Sequence, residues 1–171
     1  MLSEILIILI LFIINGVFSM TEMAVVSSRK ARLRQMAEED DAGAKVALEL
    51  ASNPNQLLSA VQTGITLMAT LTGAFGGATI ASELDIYLRS VPAIVPYSSG
   101  IALASVVLLI TFFGLVIGEL VPKRIALSNP ERIASLAASP LRTFSMVAYP
   151  VVVLLSASTE LVLRALGVRS Y

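Results

Sequence analysis

Cysteine and histidine are both absent from the chain. Their absence excludes disulfides, thiol redox chemistry, thiolate or imidazole metal ligands, and Ser-His or Cys-His nucleophile pairs. A metal bound here must be held by oxygen, which favours hard cations such as Mg²⁺ or Ca²⁺ over Zn²⁺ or Cu. Charge is scarce as well: 14% of the 171 residues are charged and 56% are hydrophobic. Soluble domains carry about 25% charged residues and about 45–50% apolar ones even with glycine counted. So few charges cannot cover a water-facing surface, and the mean hydropathy of +0.85 agrees. The composition describes a membrane protein, with the lipid bilayer as its first partner. There is no excess of either sign, because 12 Lys/Arg balance 12 Asp/Glu. Nucleic acid as a partner therefore has no electrostatic support. The few remaining polar groups carry the function, and they form no enzyme-like constellation.

A helix needs roughly 20 mostly apolar residues to cross the hydrocarbon. Three segments qualify, at about 5–26, 57–80 and 101–121. The first begins as a long apolar run and is then interrupted by Asn15, Ser19, Thr21 and Glu22. A cleaved signal peptide is its competing reading, disfavoured by Glu4 where a positive charge is usual. Residues 29–53 are polar, basic first and acidic second, and read as helices leaving and re-approaching the membrane. Their turn falls near Asp40–Gly43, and Asn53-Pro54 closes the stretch. Residues 83–97, with Asp85, Pro92 and Pro96, read as a short outer loop, and Asn129-Pro130 breaks the chain again. The stretch 130–168 is apolar but interrupted by Pro140, Arg142, Pro150 and Glu160. A fourth span is its simple hydropathy reading; helices at the interface or beside the bundle are preferred.

Charge sets the orientation. With three spans, Arg29, Lys30, Arg32, Arg34, Lys45, Lys123, Arg124, Arg132, Arg142, Arg164 and Arg169 share one side, and Arg89 lies alone on the other. The positive-inside rule then puts the N-terminus outside and the C-terminus in the cytoplasm of a multi-pass inner-membrane protein. A fourth span would carry Arg164 and Arg169 outside. The expected fold is all-α: three transmembrane helices plus amphipathic juxtamembrane helices, about 29–53 and 130–168.

Polar residues inside the spans are the functional candidates, since a carboxylate in hydrocarbon is costly. Asn15, Ser19 and Glu22 share a face of the first helix. Glu22 reads equally as an ion-facing group or as a side chain reaching the headgroups near Arg29. Gln62, Thr66 and Thr70 recur on the second helix, with Thr63 and Gly64 beside them. Gly64 would let that helix loosen and offer carbonyl oxygen to an ion. Gly73-x-x-x-Gly77 is a small-residue spacing that suits a homodimer seam or tight packing within the subunit. The sharpest feature is Gly118-Glu119-Leu120-Val121-Pro122-Lys123. Pro122 has no N–H, so the Gly118 carbonyl loses its helical partner right beside the Glu119 carboxylate. Carboxylate, carbonyl and hydroxyl oxygen is the ligand set of a hard divalent cation. The plainer reading is a Glu119–Lys123 pair that tidies a helix end.

These pieces appear in a recognisable order: Asn15-Gly16-Val17-Phe18-Ser19 with Glu22, then Leu57 to Leu67, then Gly118 to Lys123. Together they resemble the transmembrane domain of the cyclin M (CNNM) and bacterial CorB/CorC family of magnesium transporters. The resemblance covers essentially the whole chain. It implies a homodimer and Mg²⁺ transport by alternating access, as export coupled to Na⁺, with one cytoplasm-facing ion site per subunit. Ser19 matches the serine of the first-helix motif, Gly64 the second-helix glycine and Glu119 the third-helix acid. The implied ligands are Ser19, Thr66 and Glu119 side chains with the Gly64 and Gly118 carbonyls; Asn15, Glu22, Gln62 and Thr63 are further polar lining. Many relatives carry Asn directly after the glycine, where this chain has Ile65, so Thr63 or Thr66 is the substitute oxygen. Full-length relatives add cytoplasmic CBS modules that bind ATP. These residues contain no such modules, so ATP would act only through a part not present here, and the chain reads as a shortened form or a pared-down relative. Two other readings stay open: a membrane anchor and dimerisation module that moves no ion, and a carrier of Na⁺ or protons with Glu22 and Glu119 as relays.

Overall fold

A computed structural model describes residues 2–52 and 54–167, and every element in it is helical. Asn53, expected at a closing turn, and Arg169, counted in the charge map, lie outside the described residues. The elements are α1 (Leu2–Ser27), α2 (Lys30–Glu38), α3 (Ala42–Ser52), α4 (Pro54–Phe75), α5 (Ala81–Leu88), α6 (Ser98–Leu115), α7 (Val121–Ser128) and α8 (Pro130–Ala165). Two π-helical turns, Gly76–Ile80 and Val116–Leu120, join α4 to α5 and α6 to α7, while Pro92–Tyr97 forms a 3-10 helix. Four stretches are long and apolar enough to cross a membrane: Leu2–Ser27, Leu57–Phe75, Pro92–Ser128 and Pro130–Ala165. The chain is thus a multi-pass membrane protein by its helices.

Residues 83–97 are not an open loop. Glu83, Leu84 and Leu88 favour helix, and Arg89 Nη2 holds Asp85 Oδ2 at 2.7 Å across one turn, so α4 continues through its π turn into α5. Likewise, Pro140 and Pro150 do not split the last segment into separate helices. Both sit inside one 36-residue helix, α8, which begins cleanly at Pro130 after the non-helical Asn129 (φ −154°, ψ 69°). Each internal proline removes one backbone hydrogen bond. Helix formers such as Ala137, Ala138, Leu141 and Met146 flank the prolines, and the helix runs on through both.

The helices gather into two compact units. The first holds Met1–Met23 and Gly64–Ser128, the second Ala24–Thr63 and Asn129–Tyr171. In the first unit, glycines let α1 approach the α6–α7 region closely. A Cβ on Gly16 would lie 3.0 Å from Pro122 Cγ, and one on Gly114 would lie 3.2 Å from Phe12 Cε1. A Cβ on Gly76 would collide with the end of the Ile110 side chain, so that glycine is what seats the π turn on α6.

The second unit is a helical hairpin on the start of α8. Asp40 adopts φ 66° at the turn, and Asp41 caps α3 by accepting the Ala44 N–H at 2.9 Å. Such a cap satisfies a donor that the first helical turn otherwise leaves open. Ser135 Oγ of α8 donates to the same carboxylate at 2.8 Å. The Ala44 amide first, then the Ser135 hydroxyl, hold the Asp41 carboxyl below the usual carboxylate range. Ala44, Ala47 and Ala51 form the buried face of α3, packed along α8 where Ala134, Ala138 and Leu141 are buried. The buried Glu131 accepts the Arg29 backbone N–H at 3.2 Å, and Arg142 lies 3.5 Å from Glu49.

Candidate cation site

Pro122 sets the chemistry of this region before any neighbour arrives. It supplies no N–H, and the π turn Val116–Leu120 runs directly into it. Such turns recur inside α-helices at functional sites. The Gly118 carbonyl finds its donor on another helix: Asn15 Nδ2 of α1 donates to Gly118 O at 3.0 Å. Position 118 must be small, because a Cβ there would stand 3.0 Å from that same nitrogen. Glu119 follows, half-buried, and Lys123 Nζ donates to its Oε1 at 2.6 Å. The carbonyl and the carboxylate each accept from a side-chain nitrogen.

Two oxygens on the same face of α1 have no such donor. Asn15 Oδ1 and Ser19 Oγ are buried without a hydrogen-bond partner, and Ser19 is wholly inaccessible. They sit one helical turn apart. An unsatisfied buried polar atom costs about 1–3 kcal/mol, so each asks for a ligand or a water. A cavity of about 280 Å³ adjoins Asn15, lined also by Glu119, Thr72, Ile65, Gly73 and Gly77 among others, while Ser19 lies one turn beyond its lining. Among the described residues no three carboxylates converge. A cation held here would therefore rest on one carboxylate and neutral oxygens.

The structure brings Asn15, Gly118 and Glu119 together, with Ser19 one turn further along α1. Gly64 is buried on α4, but Ile65 beside it is the residue that lines the cavity. Thr66 is exposed and does not line it. Gln62 and Thr63 belong to the other unit, and the Thr63 hydroxyl donates back to Ser59 O at 2.7 Å. Glu22 is half-buried near the end of α1. Gly73 and Gly77 meet nothing within 4 Å of where a Cβ would stand; they border the cavity rather than a helix of this chain. Within this unit Gly16, Gly76, Gly114 and Gly118 are the glycines that meet neighbours of the chain, and Gly114-x-x-x-Gly118 has the same small-residue spacing as Gly73-x-x-x-Gly77. The lining by Phe12 and Thr72 had no sequence signal, because apolar and hydroxyl residues occur throughout these helices.

A family model described as the Cyclin M transmembrane N-terminal domain matches residues 6–171. UPF0053 protein sll0260 of Synechocystis is 48% identical over 167 residues, which are 98% of this chain and 37% of that protein. UPF0053 protein YugS of Bacillus subtilis is 28% identical over 170 residues, 99% of this chain and 40% of its own. The Polyamine export protein of Escherichia coli is 29% identical over 164 residues, 96% of this chain and 36% of its own. The chain thus spans less than half the length of these relatives.

Proposed function

Because this chain belongs to the cyclin M transmembrane domain family, we propose that it is the membrane part of a cation transporter whose cargo is Mg²⁺. One observation carries the reading. A proline-freed carbonyl, Gly118, sits beside the Glu119 carboxylate and accepts from Asn15, whose Oδ1 is buried without a partner, as is Ser19 Oγ one turn along α1. That is hard-cation chemistry, concentrated where a membrane protein would otherwise avoid polar atoms. The ligands proposed are Glu119, Ser19 and the Gly118 carbonyl. Asn15 Oδ1 is the amide oxygen nearest at hand, which supplies from α1 what Ile65 cannot supply from α4. The Gly64 carbonyl completes the set if α4 loosens at that glycine, and Thr66 serves only if the same movement turns it inward.

Export coupled to Na⁺, a homodimer joined along Gly73 and Gly77, and an outside N-terminus belong to the same proposal. ATP regulation would reside in the part of the longer relatives that this chain does not span. The competing anchor role leaves the two orphaned oxygens without a purpose. A second cargo has an observation of its own. Glu119 already holds a primary ammonium, that of Lys123, and the neighbouring cavity has largely apolar walls. Those features suit an aliphatic polyamine, the cargo class in the name of the Escherichia coli relative.

Titration of the purified chain with Mg²⁺, following melting temperature, tests the reading. Binding to the native state at a hundredfold excess over Kd raises stability by about 2.7 kcal/mol. Wild type should shift with Mg²⁺ and Glu119→Ala should not. A shift with spermidine but none with Mg²⁺ would transfer the site to the organic cation.

A further inference from the structure

We propose that Lys123 is a tethered counter-cation that occupies Glu119 when no ion is bound and leaves it when the transported cation arrives. The inference rests on the cation-site reading above and deepens it. Lys123 Nζ stands 2.6 Å from Glu119 Oε1, with the two side chains 29% and 37% exposed. Both partners are about one-third exposed, so water screens their attraction in part and leaves it stronger than that of a fully solvated pair. An ammonium on one oxygen of a carboxylate and a divalent cation on the same carboxylate repel with twice the strength of two single charges. The two occupants exclude each other.

The alternation also fits the local architecture. Glu119 sits in the π turn Val116–Leu120, and Lys123 is one turn on, in α7. Four methylenes let the ammonium swing away towards the headgroups without moving the helix, the reach that long basic side chains show at membrane surfaces. An empty site with a bare carboxylate would be costly in an apolar setting. The lysine removes that cost from the unloaded state and so keeps it accessible during the transport cycle. Its consequence is a lower apparent affinity and a faster release, because every departing ion is replaced at once by a charge the protein carries itself. Coupling free energies between two binding events on one protein typically amount to 5–150-fold in affinity, and the competition at Glu119 is set against that scale.

Two measurements on the full chain test the proposal. In the melting titration, Lys123→Gln should reach half-saturation at about tenfold lower Mg²⁺ than wild type, within that coupling range. Lys123→Arg should keep the wild-type midpoint. A helix-end role alone would lower the melting temperature without Mg²⁺ and leave the midpoint where it was, and that result overturns the proposal. The second measurement needs no variant. Lysine-directed acylation read by mass spectrometry should increase at Lys123 when Mg²⁺ is added, with Lys30 and Lys45 as unchanged references. Reactivity at Lys123 that stays flat or falls overturns the exchange, even where Mg²⁺ raises the melting temperature. A wild type whose melting ignores Mg²⁺ overturns the cation site itself, and the exchange with it.

Discussion

At Asn15 a single amide meets two opposite demands. Its nitrogen satisfies the carbonyl that Pro122 leaves open, and its oxygen stays buried and unpartnered. Asn15→Asp keeps the shape but replaces the donor with a second oxygen facing Gly118 O. In chelator this should cost about 1–3 kcal/mol, the usual price of an unsatisfied buried carbonyl. Mg²⁺ should then stabilise the variant by more than it stabilises wild type, because carboxylate and carbonyl together bind a hard cation. Thermal unfolding with and without Mg²⁺ reads both effects, and a variant as stable as wild type in chelator removes the amide from the argument. Glu119, Gly118 and Ser19 were legible from sequence because polar chemistry is rare in these segments and Pro122 marks one carbonyl by itself. The partnership of Asn15 with Gly118 was not legible, since 103 residues separate them and only packing brings them together.

At the scale of helices, the close approaches are made by small residues, and their positions decide which substitutions the protein accepts. A Cβ on Gly43 would run into the backbone carbonyl of Ser135 and stand 2.6 Å from its hydroxyl. Backbone cannot retreat without moving α3 off α8, so Gly43→Ala should destabilise by about 1–3 kcal/mol, as overpacking usually does. Gly76→Ala should be milder, because there the neighbour is the mobile end of the Ile110 side chain. Comparing the two melting temperatures checks the order; equal losses would mean that α3 and α8 are not held at this distance. Sequence alone set out the hairpin of α2 and α3 with its turn near Asp40, because charge, helix propensity and a turn signal coincide there. It overcounted the breaks at Pro140 and Pro150 and in residues 83–97, where flanking helix formers and the Asp85–Arg89 bridge carry the helix on. Spacing alone does not say which glycine faces a neighbour of the same chain: Gly114 and Gly118 do, whereas Gly73 and Gly77 meet no atom of it.

For the whole molecule, the parity of the crossings decides which side the C-terminus faces. Four stretches are long and apolar enough to cross, yet the charge map favours three crossings. The first turns of α8 belong with the polar hairpin through Glu131, Ser135 and Arg142, so any crossing must use the part beyond them. Between Arg142 and Glu160 the sequence offers an apolar run near the lower limit for a span. A fourth crossing would also export Arg164 against the positive-inside bias. Native cysteine is absent, so single introduced thiols report sidedness without background. With three crossings and an outside N-terminus, Ser90→Cys should react with a membrane-impermeant maleimide on intact cells. Gln35→Cys and Leu166→Cys should react only after permeabilisation. All three positions are exposed on the protein, so an unreactive thiol is not one covered by its own side chains. Labelling of Leu166→Cys from outside, with Gln35→Cys still protected, would make α8 a fourth span. Labelling of Gln35→Cys from outside would invert the orientation, and the cation site would then open to the exterior.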